Sequence, residues 1–172
     1  MPLDARELDA RARRVRLVLF DVDGVLTDGQ LTYGPSGEAL KTFNVRDGHG
    51  IVLLRLAGIE PGILSARDSE IVRARARELG IRVQSQGLRD KSAALDILMK
   101  RTGVTPEEVA FMGDDVNDLP VIVRVGLSAA PPDAEPEVLA SANFVASRPG
   151  GHGAARELCE LILRAQGKWQ AP

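Results

Sequence analysis

A single cysteine, Cys159, stands among 172 residues, so no disulfide can form within the chain and a reducing compartment is the default expectation. No apolar run approaches the roughly 20 residues that cross a bilayer as a helix. Neither sign of charge is in excess: Lys and Arg total 22 against 24 Asp and Glu, a formal net charge of −2. That balance argues against capture of nucleic acid or of an anionic membrane, both of which draw on a basic surplus. The opening MPLDARELDARARRVR lacks an apolar h-region and interleaves acids with its arginines. It reads as a solvated helix and not as a secretory or transit signal. There is no internal repeat and no low-complexity segment. What is present, 44% hydrophobic residues, suffices for one compact domain with a real core. The expectation is a single cytoplasmic domain over residues 1–172.

Strand and helix signals alternate along the chain. RLVLFDV (16–22) is a continuous apolar run of strand length, the pattern of a strand buried on both faces. Residues 29–45 alternate polar and apolar around GPSGE and read as a β-hairpin turning near Pro35 to Gly37. DGHGIVLLRLAG reads as a helix opening at Asp47 and closing at Gly58. Residues 59–66 form a second strand in which Pro61 suits the start better than the middle. A helix ending at Gly80, a short strand IRVQSQG and a helix DKSAALDILMKRTG follow. Then come the strand of TPEEVAFMGDD, a helix DLPVIVRVG, a strand LSAA, a short helix, a strand NFVAS and a closing helix from Gly153. The alternation predicts an α/β, doubly wound, mostly parallel sheet with one hairpin insertion.

In such a sheet, sites form at the carboxyl ends of the strands, and the polar residues fall there repeatedly. The first strand ends in Asp21 and Asp23, the second in Ser65, the fourth in Gly113, Asp114 and Asp115, with Lys91 opening a helix on the same rim. Two carboxylates one residue apart repel each other and call for a cation. Mg²⁺ prefers oxygen ligands and suits two or three carboxylates plus a carbonyl. Ser65 and Lys91 would then hold phosphoryl oxygens, neutralising charge during transfer. Each signal alone has a plain structural reading: Ser65 as a helix cap, Lys91 as a solvated lysine, GDDVND as a turn. Their order along the chain is what makes the set a metal-plus-phosphate site.

That order resembles the four motifs of haloacid dehalogenase superfamily phosphatases: Asp21-Val22-Asp23, Ser65, Lys91 and Gly113-Asp114-Asp115. DVDGVLTDG, FNVRDGHGI, GDDVNDLPV, VGLSAAPPDAEP and GGHGAARELCELIL resemble one branch more closely, the 3-deoxy-D-manno-octulosonate 8-phosphate (KDO 8-phosphate) phosphatases. The likeness runs from about residue 16 to residue 168. It departs at SAR (65–67), where that family usually has Thr-Gly-Arg, and at His49, where Tyr is common. The resemblance implies Asp21 as nucleophile, forming an aspartyl-phosphate, and Asp23 as the acid that protonates the sugar alkoxide. It implies a metal held by Asp21, the carbonyl of Asp23, and Asp114, with Asp115 and Asp118 orienting metal waters or Lys91. The implied reaction is Mg²⁺-dependent hydrolysis of KDO 8-phosphate in lipopolysaccharide synthesis.

The spacings Asp23 to Ser65 and Arg67 to Lys91 leave no room for a cap domain, so the site needs another cover. The resemblance implies a homotetramer built through the 29–45 hairpin, with a neighbour's tail, within residues 148–172, over the site. Leu31, Tyr33, Leu40 and Phe43 would be buried there, or on their own sheet. Arg46, Arg67 and Arg156 are candidates for the sugar carboxylate, because guanidinium pairs with it bidentately; the alternative for each is a salt bridge. His49 is placed at the substrate entrance, His152 in the tail, and Cys159 in the core. RPGGHG (148–153) reads as an anion-binding loop or a hinge. The competing readings are a phosphatase for a nine-carbon sugar acid 9-phosphate, a receiver-like signalling domain, and a non-catalytic oligomerisation module.

Overall fold

The computed structural model describes residues 3–169; the ends of the predicted lead helix and tail, 1–2 and 170–172, lie outside them. Helix α1 (Ala5–Ala12) precedes β1 (Leu17–Phe20), which runs into the hairpin β2 (Thr32–Gly34) and β3 (Gly37–Leu40). Then follow α2 (Val45–Leu56), β4 (Glu60–Ser65), α3 (Glu70–Leu79), β5 (Val83–Gln86) and α4 (Lys91–Thr102). The second half is β6 (Val109–Met112), α5 (Leu119–Ile122), β7 (Leu127–Ala130), α6 (Pro136–Ser141), β8 (Phe144–Val145) and α7 (Ala154–Ala165). Six strands form one parallel sheet in the order β5-β4-β1-β6-β7-β8, and the hairpin is a separate antiparallel pair.

The apolar run of β1 is divided between two cores. Val18 and Phe20 join Ile51, Leu54, Val72, Leu158 and Ile162 of α2, α3 and α7 on one face. Leu17 and Leu19 join Leu95, Leu98, Val121 and Val138 of α4, α5 and α6 on the other. Period-two alternation inside a continuous hydrophobic run is what a strand covered on both faces requires. Pro61 pairs with Val18 on one side, while the β5 ladder begins only at Gly62, so its missing amide lies beyond that ladder. Among the described residues no cap domain interrupts the sheet, and no helix is long and apolar enough to cross a membrane.

Five expectations are corrected in detail. Helix α2 opens at Val45 and not Asp47, because the Asn44 side chain accepts from the amides of Arg46 and Asp47 and acts as its cap. The 116–122 segment is one turn of 3₁₀ helix (Val116–Asp118) followed by the four residues of α5. The NFVAS strand shrinks to two residues at the sheet edge, and the hairpin ladder spans only Thr32 to Leu40. Phe43, expected with the outward-facing hairpin residues, packs on the core beneath the Arg75 guanidinium.

Freed from capping its own helix, Asp47 caps another. Its buried carboxylate accepts from Gly153 N at 3.2 Å and Arg156 N at 2.8 Å, satisfying the first turn of α7. Burial raises its pKa, against the pull of those two amides. The glycine-rich loop therefore needs no outside anion. It is locked onto the β1 turn, with Gly151 N donating to Val25 O at 2.8 Å. A Cβ at Gly150 would lie 1.8 Å from Gly24 O, so only glycine lets these two backbones meet. Asp47→Ala is expected to lower the unfolding free energy by about 1–3 kcal/mol, since one buried and one part-buried amide lose their acceptor. Thermal denaturation reads it, and an unchanged midpoint would show that water satisfies those amides.

Candidate active site

The chain builds outward from β1 to β4 and β5, then returns to β6 on the other flank of β1. The carboxyl ends of β1 and β6 thus sit side by side at the point where the winding reverses, the usual ligand crevice of such sheets. Phe20 is in register with Met112, and Asp21 N donates to Met112 O at 3.0 Å. That pairing brings Asp21 next to Asp114. Gly24, at φ +88°, turns the chain away, and a Cβ there would lie 2.0 Å from Asp114 Oδ2. Glycine at this turn is what allows the two acidic loops to touch.

Lys91, the first residue of α4, sends its ammonium into this crevice with essentially no exposure. It donates to Asp21 Oδ2 and to Asp118 Oδ1, each at 2.6 Å. Asp118 Oδ2 in turn accepts from the amides of Asp114 (2.9 Å) and Asp115 (3.2 Å). The carboxylates of Asp21, Asp114 and Asp118 offer oxygens within 4.8 Å of one another. Asp118 spends both oxygens on Lys91 and the loop amides, so it fixes the lysine and the loop. Asp114 Oδ1 is buried and accepts no hydrogen bond. Asp114 is therefore the carboxylate of the three with a buried oxygen left open for a cation, while each Asp21 oxygen already accepts one bond.

A cleft of about 150 Å³ opens here, lined by Asp21, Asp23, Ser65, Arg67, Asp114 and Asp115, with Ala66 and Asn117. Hollows of about 330 and 360 Å³ elsewhere on the surface are larger, but the carboxylate triad is not in their walls. Asp115 bonds its own loop through Val116 N and makes no bond to Lys91. Arg46 and His49 are exposed on α2 and are not among the cleft-lining residues. Arg156 is turned away altogether, bonded to Glu160 at 2.7 Å and lying over the Trp169 ring. For that residue the salt-bridge alternative holds.

One group of residues escaped the sequence reading. The Asp23 carboxylate contacts the ammonium of Lys41, which also lies 2.9 Å from Glu38 Oε1. Glu38 contacts the hydroxyl of Ser69, the cap of α3. Arg67 completes the ring, with Nε 3.5 Å from Asp23 and Nη2 donating to Tyr33 Oη at 3.0 Å. No spacing signals this, because Tyr33, Glu38 and Lys41 meet Asp23 and Arg67 only through the way the hairpin folds back.

Comparison with known proteins agrees with this geometry. The haloacid dehalogenase-like hydrolase family matches residues 69–158, just over half of the chain. The 3-deoxy-D-manno-octulosonate 8-phosphate phosphatase of Escherichia coli K12 is 45% identical over 159 residues, 92% of this chain and 85% of that protein. The chain belongs to this phosphatase family. Among solved structures, the Moraxella catarrhalis KDO 8-phosphate phosphatase, in complex with magnesium ion, phosphate ion and KDO, aligns with TM-score 0.92 at 39% identity. That alignment covers 95% of this chain and 94% of the other. The cobalt-bound Haemophilus influenzae enzyme aligns with TM-score 0.90 at 47% identity, covering 92% of each chain.

The electrostatics of this family member fit a divalent cation. Burial pushes Asp114 up to about 8, and the charges of Asp21 and Asp118 add to it. Burial likewise pushes Asp21 up to about 6, opposed by Lys91 and assisted by Asp118. Desolvation alone would lower Lys91, but the two carboxylates outweigh it and hold the ammonium above its ordinary value. Between the ordinary 3.8 and about 8, folded Asp114 keeps a proton that the unfolded chain has released. Unfolding free energy contributed by this group thus falls as pH rises through that window. A cation that replaces the proton removes the penalty. Added Mg²⁺ is expected to raise the melting temperature of the metal-free protein more at pH 8 than at pH 5. Equal shifts at both pH values would detach the metal from these carboxylates.

Proposed function

We propose that this phosphatase hydrolyses KDO 8-phosphate to KDO and phosphate through an aspartyl-phosphate on Asp21. The observation that carries the reading is the Asp21–Lys91–Asp118 chain beside the unpartnered Asp114 oxygen, in a chain 45% identical to KDO 8-phosphate phosphatases. Lys91 holds one Asp21 oxygen and the Val22 amide donates to the other at 2.7 Å, which fixes the carboxylate plane at the mouth of β1. Mg²⁺, held by Asp21, Asp114 and the Asp23 carbonyl, would supply charge neutralisation for phosphoryl transfer.

An Asp21 oxygen bonds to phosphorus as the phosphorus–oxygen bond to the sugar breaks, and Asp23 gives its proton to the departing oxygen. Water then attacks phosphorus; Asp23 takes its proton, inorganic phosphate leaves, and Asp21 is regenerated. Ser65, at the end of β4 and in the cleft wall, and Lys91 are placed to hold the other phosphoryl oxygens. Arg67, on the same wall, offers its guanidinium to the sugar carboxylate. Arg46 and His49 lie outside the cleft of a single chain, so any part they take in substrate binding lies beyond this wall. The setting is cytoplasmic lipopolysaccharide synthesis.

Asp21→Asn is expected to abolish turnover, and Asp23→Asn to cost on the order of 10²–10⁴-fold. Steady-state kcat/KM with Mg²⁺ on KDO 8-phosphate and a nine-carbon sugar acid 9-phosphate, side by side, checks both roles and substrate. Retention of more than a few percent of the rate by Asp21→Asn would sink the nucleophile. A preference for the nine-carbon acid would move the substrate.

The hairpin leaves Leu31, Tyr33 and Leu40 at 41, 60 and 65% exposure. A two-stranded ribbon with such a surface is stable when another surface covers it. The covering assigned here is a homotetramer built from this hairpin. Sedimentation at micromolar concentration is expected to give four chains, and a monomer there overturns the assembly.

A further inference from the structure

We propose that Lys41 is a positioning residue for Asp23, fixing its carboxyl for proton transfer; the inference rests on the phosphatase reading above. Lys41 sits just past β3, outside every motif that marks the site. Its side chain is 1% exposed, against 19% for Asp23 and 15% for Glu38. An ammonium taken out of water costs several kcal/mol unless its partners are well placed. Here they are: Asp23 on one side, and Glu38 Oε1 at 2.9 Å on the other. Glu38 is itself braced by the Ser69 hydroxyl, which also accepts from Val72 N and so belongs to the first turn of α3.

The bracing is directional. Tyr33 and Glu38 are cross-strand partners, so they share one face of the hairpin, and both reach Arg67. The register slips between Thr32 and Tyr33, the kind of irregularity that re-aims side chains. Lys41 does not line the cleft, whereas Asp23 does. It therefore reaches the substrate's oxygen only through Asp23. A partly exposed carboxyl on a turn has several rotamers to choose from. A buried ammonium behind it, tied to the start of α3 through Glu38 and Ser69, selects one.

The consequence is specific to the leaving group. A sugar alkoxide needs a proton as it departs, while p-nitrophenolate departs without one. Lys41→Met is expected to lower kcat/KM for KDO 8-phosphate about 10–100-fold, the range seen when a supporting partner is removed. The loss on p-nitrophenyl phosphate is expected to be at least about tenfold smaller. In an Asp23→Asn background the same change should cost less than about threefold more, because the group it positions is gone. Lys41→Arg, which keeps the charge, should recover part of the rate.

Equal losses on the two substrates, or a full loss in the Asp23→Asn background, would overturn the proposal in favour of a general structural role. Should Lys41→Met fail to fold, Glu38→Gln, which loosens the ammonium but leaves its contact with Asp23, is judged by the same comparison. A wild type inactive on KDO 8-phosphate but active on p-nitrophenyl phosphate and glucose 6-phosphate overturns the substrate reading alone. Lys41 is then decided on glucose 6-phosphate.

Discussion

The Lys91 ammonium, shut away from solvent between Asp21 and Asp118, is the contact around which the carboxyl rim of the sheet is organised. One positive charge there faces three carboxylates whose oxygens come within 4.8 Å of one another. Two unit charges 4 Å apart interact by about 4 kcal/mol at an effective dielectric of 20. Lys91 offsets that repulsion for the pair it bonds and leaves the third group exposed to it. Hence Asp114, without a hydrogen-bonding partner for Oδ1, is pushed further than Asp21, to about 8 against about 6. The place where the charge deficit collects is also the place where an oxygen is free.

Topology brings these groups together, and close backbone approach keeps them there. Asp21 and Asp114 leave adjacent strands at the point where the winding reverses. Gly24 then presses against the Asp114 carboxylate, and Gly113 against that of Asp118, where a Cβ would come within 2.5 Å of the carboxyl carbon. Gly150 closes the stack on the far side of Gly24. The glycine-rich segment near the carboxyl end is thus a support for the turn that follows Asp21. Asp47 ties that support to α2 through the amides of α7.

Much of this was legible in the sequence, for physical reasons that can be named. The run through Val18 to Phe20 and the glycines ending α3 and α4 mark elements that local chemistry specifies. Asp21, Ser65, Lys91 and Asp114 were visible because a parallel sheet delivers the ends of its strands to one rim. Asp47 was misread as a cap for its own helix because Asn44, three residues earlier, does that work, while its real partners lie more than a hundred residues away. Lys41 and Glu38 were invisible for the same reason: a hairpin's own alternation says nothing about where the hairpin folds. Arg156 carried the right functional group, but its partners Glu160 and Trp169 are neighbours on or after α7 that hold it away from the cleft.

The proposed nucleophile and the proposed acid are held by different parts of the molecule. Asp21 is fixed by the sheet, by α4 through Lys91 and by the Val22 amide, all within the doubly wound core. Asp23, two residues later, is gripped by Lys41 and Arg67, whose other contacts are Glu38 and Tyr33 of the hairpin. In a fold with no cap domain among the described residues, the hairpin then has two tasks. Glu38 and Tyr33 help to hold the groups around Asp23, while Leu31 and Leu40 stay exposed. A displacement of the hairpin would move Lys41 and Asp23 while leaving Asp21 in place. On the proposed roles, protonation of the leaving group is therefore the step that the hairpin's placement governs, and attack on phosphorus is insulated from it.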